Sequence, residues 1–139
     1  MAYATRALIE ELWGAEFVAD LLPVDVDADD AFERAIEQAS AEIDTHLSAR
    51  YQTPIEGQPT ALATPCASIA VYNLAIRHTA LTTTIEERYK HAVKLLERIA
   101  DGKAGLGADE PRVSTDPDSS SGGAAFSAND RLFSRRTLP

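Results

Sequence analysis

The sequence predicts an all-α protein: a small bundle of about four helices followed by a flexible, extended C-terminal arm. Three observations carry this prediction. Apolar residues recur at spacings of three and four over two long segments, which places them on one face of a helix. Those segments open on Ser/Thr/Asp capping signals and close on glycine or proline. The hydrophobic fraction is 45%, much of it alanine, with only 7 glycines and few aromatics, a composition that favours helix. At 139 residues the chain suffices for one hydrophobic core.

Taken in order, Thr5 caps a short helix from Arg6 to about Trp13, with Leu8, Ile9, Leu12 and Trp13 as its buried edge and Gly14 as its stop. Phe17, Leu21 and Leu22 suit a further turn before Pro23. The acidic loop Val24–Asp30 leads into the central segment, Asp30–Pro54, where Asp30 and Glu33 have the spacing of a capping box. Phe32, Ile36, Ala39, Ile43 and Leu47 form its apolar stripe, and Pro54 predicts an end near Tyr51. Residues 52 to 63 read as a surface loop. Thr64-Pro65 predicts the next helix start, with threonine as cap and proline in the first turn. The run Cys66–Ile76 is apolar nearly all round, which predicts a helix buried on most sides or one face of a subunit contact. Thr84 with Glu87 suggests a second capping box. Ile85, Tyr89, Ala92, Val93, Leu96, Ile99 and Ala100 continue on one face, and Gly102 is placed to end the helix in a left-handed conformation.

After Gly102 the composition changes. Residues 1–102 are expected to form the helical domain, 103–125 a linker rich in Gly, Ser, Asp and Pro, and 126–139 a docking peptide. Its candidate contacts are Phe126, Leu132, Phe133 and Leu138, with Arg131, Arg135 and Arg136 between them. The formal net charge is −9. Through Gly102 the chain holds 17 acidic and 8 basic residues; from Lys103 onward it holds 5 of each. An acidic body argues against gripping nucleic acid, since phosphates dominate such binding. It remains compatible with a protein that surrounds DNA without holding it.

No run reaches the ~20 apolar residues of a membrane span, and the N-terminus lacks the basic and apolar blocks of a secretion signal. The single cysteine, Cys66, allows no internal disulfide, and a reducing cytoplasmic setting is expected. As a nucleophile Cys66 has His46, His78 and His91 as possible bases, but at the start of an apolar helix it reads as a small hydrophobe. His78 and His91 read as exposed positions at helix edges. Asp25, Asp27 and Asp29 alternate as in a calcium loop, yet Asp30 and Ile36 stand where glycine and a bidentate Glu are needed. Carboxylates placed at a helix N-terminus explain them better. Tyr72 and Tyr89 read as core aromatics, and Arg50 as a cation over the last carbonyls of its helix. No phosphate loop, serine elbow or zinc motif is present. No cofactor, no metal and no enzymatic activity are expected.

One ordered set of residues carries a resemblance. Ala39-Ser40, Ile43-Asp44, Leu47, Arg50-Tyr51 and Pro54 are followed by Ile69-Ala70, Tyr72 and Leu74, then Arg88-Tyr89, then Leu95-Leu96, Ile99-Ala100 and Gly102. Between about Tyr3 and Leu106, this resembles a small protein family encoded in Mu-like prophages and grouped with the head-to-tail connectors of tailed phages. The resemblance implies a structural adaptor in the virion neck, present in the host cytoplasm during assembly. It implies a ring, commonly dodecameric, between the portal protein and a stopper or tail-completion protein, extending the channel through which DNA passes; the free chain can be monomeric. In that frame Asp20, Asp25, Asp27, Asp29 and Asp30 are candidates for an acidic channel wall or rim, and the apolar excess of Ile69–Ile76 for part of a ring contact. A competing expectation is a small acidic helical module that sequesters a basic protein or mimics DNA.

Overall fold

A computed structural model describes residues 2–110. They form five helices and no strand: α1 (Arg6–Trp13), α2 (Ala15–Asp20), α3 (Ala28–Leu47), α4 (Thr60–Arg77) and α5 (Thr83–Ala100), followed by a single 3₁₀ turn, Gly107–Asp109. The predicted all-α bundle is what forms.

α4 is the axis of the bundle. It packs against both α3 and α5, which also touch each other, while α1 lies against α2 and α4. Every residue from Pro65 to Val71 is buried, because helices on two sides leave it almost no solvent face. The apolar excess of Ile69–Ile76 is therefore spent inside the subunit. Only Ile76 remains exposed, which removes most of the surface expected there for a ring contact.

α3 supplies Phe32, Ile36, Ala39, Ile43 and Leu47 to the core, the predicted stripe. Its start lies earlier than expected. Asp27 is the cap, its Oδ1 accepting from the N–H groups of Asp29 (3.1 Å) and Asp30 (3.4 Å). Asp30 sits in the first turn and pairs with Arg34. Capping from Asp27 adds nearly a turn of helix and leaves two further carboxylates where the helix dipole favours them. At the other end α3 closes at Leu47, and the N–H groups of Arg50 and Tyr51 both return to the Leu47 carbonyl (3.0 and 2.8 Å).

α4 begins at Thr60, a turn before the predicted Thr64-Pro65 start, so Pro65 lies inside the helix. α5 is capped by Thr82, which accepts from Ile85 N–H at 3.4 Å. This register buries Ile85 completely. Thr5 and Gly14 bound α1 as expected. Leu12, however, is 37% exposed rather than buried. Gly102 closes α5 with φ +76°, the left-handed conformation that glycine adopts without a steric penalty. Tyr72 and Tyr89 stack with centroids 3.8 Å apart, and the Tyr89 hydroxyl donates to Glu42 on α3, so the pair joins all three long helices.

The N-terminal segment is pinned by Tyr3. Its N–H donates to Ser40 Oγ (3.2 Å), its hydroxyl donates to the Asp44 carboxylate, and the Ile55 N–H donates to that hydroxyl (2.8 Å). One phenol thus ties the chain start, α3 and the α3–α4 loop together. Burial, followed by the bond to Asp44, pushes the Tyr3 hydroxyl up to about 12. Its contribution to stability is complete below its ordinary value of 10 and is lost as pH rises through about 12. Tyr3→Phe leaves the Ile55 N–H without its acceptor and is expected to destabilise the fold by about 1–3 kcal/mol, measured by urea unfolding at neutral pH. The difference from the parent chain should vanish as pH approaches 12; a difference that persists there contradicts the anchoring role.

Candidate functional site

Two surface features stand out, and both lie where α5 meets the N-terminal end of α4. The first is a polar clasp built on Arg50. Its Nη1 donates to the carbonyls of Ile99 (2.8 Å) and Ala104 (3.0 Å), its Nη2 reaches Glu110 (3.3 Å), and its guanidinium lies over the Tyr51 ring at 5.0 Å. The expectation that Arg50 serves its own helix is corrected: it serves the C-terminal end of α5. The loop after α3 passes directly beneath that end, and a guanidinium can bond two carbonyls at once.

Glu110 completes the clasp. It accepts from the Tyr51 hydroxyl and from the Leu106 N–H. Gly105 lies beneath it, and a Cβ there would stand 2.7 Å from the Glu110 carboxylate and push it aside. The Tyr51 hydrogen bond, the Leu106 N–H and the Arg50 charge hold the Glu110 carboxyl below its ordinary value. Burial, then the bond to Glu110, raises the Tyr51 phenol. Asp109 reaches the start of α4, its Oδ2 accepting from both Thr60 N and Thr60 Oγ1 at 3.3 Å. Pro59 offers no side-chain cap, so Asp109 supplies one from elsewhere in the chain. Leu106 is buried beneath this segment. The expected linker therefore does not begin at Lys103: residues 103–110 are fastened to the bundle by one leucine and two carboxylates.

The second feature is an open groove of about 610 Å³. Leu12 of α1, Ala61 and Pro65 of α4, and Ala92 and Leu95 of α5 form its apolar walls; Glu87 and His91 lie among its polar groups. Trp13 lies alongside, with Arg88 4.2 Å above its ring.

The predicted acids are all exposed. Asp20 ends α2, Asp25 lies in the loop, and Asp27, Asp29 and Asp30 gather at the start of α3. Asp29 pairs with Arg6 and Asp30 with Arg34, so part of the expected acidic rim is neutralised within the subunit. Cys66 is fully buried beside Ser40 Oγ (3.6 Å); burial pushes its thiol up and away from the thiolate a nucleophile needs. His91 is exposed as expected, whereas His78 is half-buried. Among the described residues no three His, Cys, Asp or Glu side chains gather as a metal site, and no helix is long and apolar enough to cross a membrane. The residues expected to dock, Phe126, Arg131, Leu132, Phe133, Arg135, Arg136 and Leu138, lie outside the described residues.

The family model described as Bacteriophage Mu, Gp36 matches residues 3–125, which takes in every helix and the Arg50 clasp. The chain belongs to the bacteriophage Mu Gp36 family. Among curated relatives of this Gp36-family chain, the Mu-like prophage FluMu protein gp36 of Haemophilus influenzae is 29% identical over 105 residues, covering 76% of this chain and 71% of that protein. Gene product J of Escherichia phage Mu is 35% identical over 91 residues, covering 65% of this chain and 62% of that protein. The Mu-like part of the resemblance is thereby established.

In this Gp36-family chain the clasp can be tested by pH and by substitution. Because the Glu110 value is lowered, its contribution is full above the ordinary value of 4.5 and is lost as pH falls through the lower folded value. Arg50→Lys keeps the charge but not the two-pronged geometry, and is expected to cost about 1–3 kcal/mol in urea unfolding. It should also speed amide exchange across residues 103–110. Stability equal to that of the parent chain rules out the clasp as a structural element.

Proposed function

We propose that this chain is a non-enzymatic, structural head-to-tail connector of a Mu-like phage or prophage. It forms a ring below the portal, extends the DNA channel and joins head to tail through a stopper or tail-completion protein. Membership of the bacteriophage Mu Gp36 family is the observation that carries this reading. The body adds physical support. Residues 2–110 hold 19 acidic and 9 basic residues, a balance of −10. A ring of such bodies repels phosphate and lets a duplex slide past, because binding that depends on neutralising phosphates is weakened by like charge. Asp20, Asp25 and Asp27 are exposed and form no ion pair among the described residues, which suits a wall or rim.

The C-terminal segment 126–139 is the portal-docking element of this proposal. Phe126, Leu132, Phe133 and Leu138 fill apolar pockets of the portal while Arg131, Arg135 and Arg136 meet its acidic groups. Ring formation requires one face of the subunit to meet a different face of its neighbour; Ile76 and Leu81, both exposed, are the apolar residues left for it at the α4–α5 corner. The same acidity also suits a module that sequesters a basic partner, and that alternative predicts no incorporation into particles. Deleting residues 126–139 is expected to leave the helical signal of the body unchanged and to yield separate heads and tails by electron microscopy. Fully joined particles from the deletion would refute the docking assignment, and absence of the full chain from purified necks would refute the connector itself.

A further inference from the structure

We infer that the groove between α1, α4 and α5 is a receptor for this chain's own C-terminal segment, Phe126–Leu138. The inference does not depend on the connector reading; it concerns the isolated subunit.

Three observations meet at this groove. Its walls are apolar, and two large residues, Leu12 and Leu95, are each 37% exposed there. Trp13 lies beneath Arg88 of the lining, its buried Nε1 without a hydrogen-bond partner among the described residues. The path of the chain is the second observation. Asp109 is bonded to Thr60, itself a groove-lining residue, so the clasp releases the chain at the α4 end of the groove. Fifteen residues separate Glu110 from Phe126. As a coil they reach about 20 Å, and fully extended about 50 Å, against roughly 27 Å for the whole of α5. The tether therefore spans the groove without strain.

Composition supplies the third. The segment carries Phe126, Leu132, Phe133 and Leu138, with Arg131, Arg135 and Arg136 interleaved. The body it would meet has a balance of −10; of the charged residues lining the groove, Glu87 faces the incoming arginines while Arg88 lies over the Trp13 ring. Aromatic and aliphatic anchors flanked by arginines suit an apolar trough on an acidic surface. The choice of its own chain over a second copy follows from the tether. A covalent link of fifteen residues sets an effective concentration on the order of millimolar, far above that of free chains in a dilute solution.

Cysteine pairing in the full chain tests this. Cys66 is fully buried and leaves the engineered pair to react alone. In His91→Cys/Ser134→Cys the first thiol stands in the groove and the second lies beside Phe133. In Glu97→Cys/Ser134→Cys the first thiol stands on the same helix, exposed and away from the groove. The groove pair is expected to close an intrachain disulfide at least about tenfold faster than the control pair. Adding Leu132→Ser and Phe133→Ser, which removes two of the segment's apolar anchors, should bring the rate down to that of the control. Equal rates for the two pairs overturn the inference, as does indifference to the serine substitutions. Predominantly interchain disulfides, rising with protein concentration, overturn it in favour of a second copy as the donor.

Discussion

The enclosure of α4 is the constraint on which the rest of the molecule depends. A helix apolar nearly all round cannot be left largely against water. α3 and α5 must therefore flank it, and α1 must lie against its N-terminal half. Burial of Cys66, Ile69, Ala70 and Val71 is the direct result. The placement of the small polar groups follows. Ser40, buried on α3, returns its hydroxyl proton to the Ile36 carbonyl at 2.8 Å while accepting from Tyr3, so its buried oxygen both donates and accepts. Once α4 is enclosed, the loops at its two ends have little freedom, and Tyr3 and Arg50 each sit where one side chain can hold several strands of chain at once.

Much of this was legible in the sequence where the signal is local. Thr5 and Gly14 bound α1, the Phe32–Leu47 stripe marked the core face of α3, and Gly102 marked the end of α5. Where several equivalent residues compete, the reading slipped by part of a turn. Asp27 displaced Asp30 as a cap, and Thr82 displaced Thr84, because core burial of Ile85 and added helix length decide between caps of nearly equal strength. The start of α4 could not have been read locally at all. Its capping group is Asp109, 49 residues further along the chain.

The same limit applies to the functional surfaces. Arg50 was recognised as a helix-end cation but assigned to its own helix, since sequence spacing does not reveal which other helix end lies beneath it. The groove belongs to no single segment; Leu12 looks like a core position until three helices are set side by side. The acids before α3 were read correctly as helix-end carboxylates. Their partial neutralisation by Arg6 and Arg34 depends on side-chain reach, which only coordinates supply. The family match covers the same helices and stops at residue 125, one residue short of the segment proposed to dock.

The clasp has a mechanical consequence. Residues 103–110 do not merely follow the bundle; they are bolted to it at two points, Arg50 to the Ile99 and Ala104 carbonyls and Asp109 to Thr60. Tension on anything attached beyond Glu110 therefore meets the ends of α4 and α5 before it reaches the buried Leu106. Under load these polar bolts give before Leu106 is drawn from the core, and they can re-form once the pull is released.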